Sequence, residues 1–135
     1  MVFAKTQMMG LDMALPDMCL TPSPALGVPV PVPYPNLALP MTAIPSQFTV
    51  LTLAMPSHNV TTITPLSNGD NAGVMLNPAS GLIMGPARNM LFSTCSFIGG
   101  MPATRMLDMT GQNGPTPGAV GMSMVPSQIK VMILR

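Results

Sequence analysis

No stretch of this 135-residue chain longer than 15 residues passes without a proline, and 17 prolines run from Pro16 to Pro126. A proline inside a helix removes a backbone donor and drives its ring into the preceding turn, at a cost of about 3 kcal/mol or more. That spacing excludes long helices. It also excludes a transmembrane helix, which needs about 20 mainly apolar residues in a row. The exclusion matters because the composition otherwise looks membrane-like. Hydrophobic residues make up 47% of the chain and charged residues 7%, and residues 18–69 contain no Asp, Lys or Arg. Glutamate is absent, so the usual material for the exposed face of an amphipathic helix is missing too. What remains is a chain of short strands and turns, predicted to be all-β with helix confined to a turn or two.

The first 15 residues precede any proline and read as a short strand ending near Asp12. Residues 16–45 are punctuated too densely for regular structure. Within them Pro29, Pro31, Pro33 and Pro35 alternate with Val30, Val32, Tyr34 and Asn36, which favours extended polyproline geometry. Disordered proline segments are usually charged and polar. This one is apolar, so an ordered strip packed on the domain is expected. Strand signals follow at 47–54, 59–64, 81–84, 89–98 and 128–134, from alternation or β-branched content. Turns are expected in the cluster Ser67-Asn68-Gly69-Asp70-Asn71-Ala72-Gly73, at Gly99-Gly100 and at Asn113-Gly114. The length fits one domain, residues 1–135.

Several functions lack their chemistry. A net charge of +1 without a basic cluster, and 4% aromatics, give nucleic acid neither a positive stripe nor stacking platforms. Residues 1–5 show no basic region leading into an apolar one, so no signal peptide is expected. His58 is the single histidine, with no nucleophile elbow, phosphate loop or HExxH, and enzyme activity is not expected. Cys19, His58 and Cys95 are the good zinc ligands. They are one short of a closed site, which an aspartate such as Asp17 would have to complete, and they lack paired spacing. Small buried thiols and a hydrogen-bonded imidazole are the simpler reading, and no metal is favoured. Sixteen methionines invite a Cu(I) site. They are scattered through the chain, and filling gaps in a core poor in aromatics explains them better. Asn59-Val60-Thr61 fits a glycosylation sequon, which matters only on a eukaryotic secretory route.

One corner stands out against the scarcity of charge. Gly99-Gly100 leads into Pro102-Ala103-Thr104-Arg105, and Asp108 follows three residues after the arginine. Its bland reading is a tight turn with a local ion pair, worth roughly 0–1 kcal/mol if exposed. Met9-Gly10-Leu11-Asp12-Met13 can be laid over Arg105-Met106-Leu107-Asp108-Met109, sharing Leu-Asp-Met. Two related corners predict a fold that repeats a hairpin-like unit.

The tetrad resembles the Pro-Ala-Ala-Arg signature of the PAAR family of spike-tip proteins. The resemblance extends through Pro16-Asp17-Met18-Cys19-Leu20-Thr21-Pro22, Pro31-Val32-Pro33-Tyr34-Pro35-Asn36, Ser57-His58-Asn59, the turn cluster at Ser67, Met84-Gly85-Pro86-Ala87-Arg88 and Val125-Pro126-Ser127-Gln128-Ile129-Lys130-Val131. It implies a small conical cap, without catalysis, on the trimeric VgrG spike of type VI secretion or its equivalent in a related contractile injection system. It implies a chain held in the bacterial cytoplasm until firing, then carried out with the spike across a target membrane, and able to carry an effector. The alternative is an adaptor that loads a toxic effector onto the spike. A cap on a three-fold platform needs three similar contact edges. Ile129, Val131 and Ile133 are expected to form part of that base. With the chain ending at Arg135, no toxin extension is expected. The family's tips typically hold zinc on three histidines and one cysteine. Here one histidine is present, and Asn89 stands where another is expected, so a tip without that zinc is predicted.

Overall fold

The computed structural model describes residues 1–44 and 47–134. The described chain is all-β apart from one 3-10 turn at Pro40–Thr42. Its main sheet has seven antiparallel strands. In spatial order these are β6 (Ile63–Thr64), β8 (Ala87–Asn89), β11 (Met109–Gln112), β12 (Ala119–Val125), β2 (Leu11–Pro22), β3 (Pro29–Ala38) and β7 (Ser67–Asn68). Three two-stranded ribbons lie outside it: β1 (Val2–Phe3) with β13 (Met132–Ile133), β4 (Leu51–Thr52) with β5 (Met55–Pro56), and β9 (Phe97–Ile98) with β10 (Met101–Pro102).

The expectation for residues 16–45 needs correction. The prolines do not break the structure there, because β2 and β3 form its longest hairpin. Residue 45, which closes that stretch, lies outside the described residues. The physical reason is parity. In an antiparallel ladder, alternate residues direct both backbone groups to the same side. Leu20 exchanges hydrogen bonds with the segment at 75–76, so its backbone faces away from β3. Pro31 lies opposite Leu20, and Pro33 and Pro29 share its parity. Their missing N–H groups therefore all fall on the outer side of β3, while Val30, Val32 and Tyr34 face β2. A period-two proline pattern leaves one edge able to pair and makes the other unable to donate.

Other strand signals shrank. The expected strand at 47–54 is only β4, followed by a tight turn in which Leu53 and Ala54 both have positive φ (55° and 64°). The 59–64 signal reduces to β6 and a bridge at Asn59, and 128–134 reduces to β13. Residues 81–84 form no strand; Gly81 and Met84 are left-handed, at φ 67° and 54°. The 89–98 run is broken into β8 and β9 because the Ser93 hydroxyl accepts the N–H groups of Cys95 and Ser96 and closes a turn between them. The expected turns at Gly99-Gly100 and Asn113-Gly114 are present, with φ positive at all four residues. Strand β12 had no clear signal.

The interior reverses the usual distribution. Its buried apolar residues are mostly alanines, together with Cys19, Ile98 and Ile133. The largest wholly buried side chains are polar: His58, Gln112, Asn36, Asn59, Asn77 and Asn113. None of the 16 methionines is buried, so the expectation that they fill the core is wrong. All four aspartates are inside instead. Among the described residues, the exposed charged side chains are Arg88 and Lys130.

Candidate functional site

The tetrad corner is one side of a triangle. Three short segments, 3–7, 56–60 and 102–106, meet at a common axis. Bridges join Ala4 to Arg105, Thr6 to Ser57 and Asn59 to Ala103. The hydrogen bonds run round in a cycle. Lys5 N–H donates to the Thr104 carbonyl (3.0 Å), His58 N–H to that of Lys5 (3.0 Å), and Thr104 N–H to that of His58 (3.3 Å). A second cycle links Gln7 to Pro56 (3.0 Å), Val60 to Pro102 (2.9 Å) and Met106 to Phe3 (2.8 Å), each residue named first donating its N–H.

Further contacts repeat the three-fold pattern. The N–H groups of Ala4, Ser57 and Ala103 donate to the carbonyls of Val131, Val50 and Ser96 at 3.0, 3.0 and 2.9 Å. Those of Thr6, Asn59 and Arg105 are capped by side-chain oxygens of Ser127, Thr62 and Asp108. The ribbons follow suit, because Phe3 pairs with Met132, Pro56 with Leu51 and Pro102 with Phe97. One chain thus builds a pseudo-three-fold ring. Two of its ribbons are hairpins, and the third is closed by the first and last strands of the chain.

The role of each tetrad residue follows. Pro102 starts a ring segment, and its carbonyl closes the outer cycle. Ala103 is fully buried beside Ala4, Ile98 and Ile133, where three backbones converge and only a small side chain fits. Its ring equivalents are Ala4 and Ser57. Thr104 lies on the axis with Lys5 and His58, all buried. Arg105 binds Asp108 through two of its nitrogens, and Asp108 is nearly inaccessible. The bland reading of an exposed pair is therefore replaced by a buried, two-pronged one that also caps the Arg105 N–H. The overlay of residues 9–13 on 105–109 is not the ring's register. The ring equates Thr6 with Arg105, and Asp12 instead holds the Lys5 ammonium at 2.7 Å. Lys5 also donates to Asn89 Oδ1 at 2.9 Å, so Asn89 serves a buried ammonium. Burial first, and the Lys5 charge second, push the His58 imidazole down to about 3, leaving it neutral.

Each ribbon presents a large apolar side chain at the equivalent outward position: Leu51, Phe97 and Met132, between about half and two thirds exposed. Sequence reasoning missed these three, because their equivalence exists only once the ring has formed. Of the residues expected at the base, Ile129 and Val131 are exposed, and Val131 is the ring equivalent of Val50 and Ser96. Ile133 faces inward, packed with Ala4, Ile98 and Ala103.

Cys19, His58 and Cys95 are not brought together. Cys95 is exposed, His58 lies on the ring axis, and Cys19 is buried beside Asp17, Asp70 and Asn113. Among the described residues, the one group of three possible metal ligands is Asp17, Cys19 and Asp70, whose ligand atoms lie within 4.8 Å of one another. Burial, and then the charge of Asp17, push the Cys19 thiol up to about 12, so it remains protonated. A site of three histidines and one cysteine does not fit these residues.

Among the described residues no helix is long and apolar enough to cross a membrane. A family model described as "Toxin PAAR-like domain" matches residues 10–118. Two of the three ring segments fall inside the match, and the 3–7 segment precedes it. No curated protein and no solved structure matches the chain.

Proposed function

The chain belongs to the toxin PAAR-like domain family, and on that premise we propose that it is a tip piece seated on a trimeric, VgrG-like spike of a contractile injection system. The pseudo-three-fold ring carries the reading. A single chain docked on a homotrimer must offer each subunit a similar surface. Three ribbons in equivalent positions, each displaying one of Leu51, Phe97 and Met132, meet that demand. The role is mechanical and needs no turnover.

The inverted interior supports it from a second direction. Moving a charge through the bilayer centre costs at least ~2.5–3.5 kcal/mol on insertion scales. Here the aspartates are buried, and the outer surface is largely apolar or neutral. Rigidity comes from the polar network and from prolines, each of which lowers unfolded-chain entropy by about 0.4–1 kcal/mol at a compatible site. The outer face of the sheet also carries an apolar trough lined by Met13, Leu15, Met109, Val120, Met122 and Met124. It favours an accompanying role, the attachment of an effector.

Charge placed on the ribbons tests docking without touching the core. The triple variant Leu51→Lys, Phe97→Lys, Met132→Lys is expected to fold and to lose at least 100-fold in affinity for the spike. Undiminished binding by a folded triple variant would place the interface elsewhere.

A further inference from the structure

The family's histidine–cysteine zinc finds no fit here, and the residues around Cys19 are arranged for a different purpose. Asp17 is completely buried. Its Oδ1 accepts the Asn77 amide at 2.6 Å and the Cys19 thiol at 3.4 Å. Its Oδ2 accepts the amides of Asn36 at 2.8 Å and Asn113 at 3.0 Å. Four donors thereby fill the roughly four lone-pair sites that a carboxylate offers.

Two of those amides have their orientation fixed from the other end. Asn77 Oδ1 accepts the N–H groups of Ala79 at 2.7 Å and Ser80 at 3.2 Å. Asn113 Oδ1 accepts the N–H of Gly85 at 3.1 Å. Their amino groups must then point at Asp17. A cation placed there would meet N–H groups where it needs oxygens. Hard and borderline cations bind through carboxylate, carbonyl, imidazole or thiolate, never through an amide N–H.

The four groups come from separate parts of the chain. Asp17 is on β2, Asn36 on β3, Asn77 in the long loop before β8, and Asn113 in the turn after β11. A structural zinc ties together the segments that supply its four ligands. Asp17 joins four segments with hydrogen bonds. We infer that Asp17 with Asn36, Asn77 and Asn113 is a metal-free cross-link that takes the place of the zinc in this chain. Asp70 completes the group of three possible ligands and lies 3.9 Å from the Cys19 thiol, but it shares no hydrogen bond with Asp17, Asn36, Asn77 or Asn113; its carboxylate accepts the Met84 N–H.

The inference stands apart from the docking proposal and is tested on the isolated protein. Expressed with zinc in the medium and dialysed, it is expected to carry far less than one metal ion per chain by mass spectrometry. Its thermal midpoint should not move when EDTA is added. Asp17→Asn would turn an amide against three amide donors and should lower the midpoint by roughly 10 °C. Should that variant not fold, Asn36→Ala removes one donor and should give a smaller fall. Asp70→Asn, which leaves the cross-link whole, should not lower the midpoint at pH 7. One tightly held metal per chain, a fall in midpoint on chelation, or an Asp17→Asn protein as stable as the original would each overturn the inference.

Discussion

At the scale of single residues, the protein leaves Arg88 and Lys130 exposed and keeps its other scarce charges largely inside, with partners. Lys5 has Asp12 and Asn89, Arg105 has Asp108, and Asp17 has its amides. Removing one member of a buried pair typically costs about 3–5 kcal/mol, because the other is left uncompensated. His58 gives the clearest residue-scale prediction, since it is the only histidine. The unfolded chain takes a proton below about 6.5, and the folded one only near 3. Its contribution to stability is therefore present above pH 6.5 and lost as pH falls toward 3, at about 1.4 kcal/mol per pH unit. Asp70 runs the other way. Burial raises its folded value above 3.8, so its contribution is full below 3.8 and lost as pH rises through the folded value. Because the two oppose each other, a bulk stability curve is a poor test. The imidazole Cε1–H signal is a better one: it should stay flat from pH 8 to about 4.5, whereas an ordinary titration near 6.5 would show His58 to be solvated.

At the scale of elements, two ribbons solve the same turn differently. Gly99-Gly100 uses glycines, which enter the left-handed region freely. Leu53-Ala54 makes the equivalent turn with residues for which it costs roughly 1–2 kcal/mol each. Ala54→Gly should therefore stabilise the protein by about 1 kcal/mol. Gly100→Ala should destabilise it by a similar amount, since nothing lies within 4 Å of the added Cβ and only the backbone pays. Urea unfolding of the two variants checks both signs, and a destabilised Ala54→Gly would refute the turn geometry. This contrast also shows what was legible. The glycine turn is readable because its residues demand it, while Leu53-Ala54 carries no such signal and reads as strand. The β2–β3 hairpin is hidden for the opposite reason. Its prolines are strand breakers on average, and only their parity against a pairing edge makes them compatible.

At the scale of the whole molecule, the all-β class was legible from proline spacing and the absence of glutamate, and the family from its ordered motifs. The ring was not. Its three segments share only a small second residue, Ala4, Ser57 and Ala103, and one ribbon joins opposite ends of the chain. No local repeat search finds that. The polar core was equally hidden, because an asparagine in a sequence gives no sign of whether it caps a turn at the surface or supports a buried carboxylate. The central claim, a cap with three-fold contacts on a trimeric spike, meets its most direct test in the mass of the complex. Native mass spectrometry of the co-expressed chain and its cognate spike should give one copy of this chain per three spike subunits. Three copies per trimer, or no complex at all, would contradict the account.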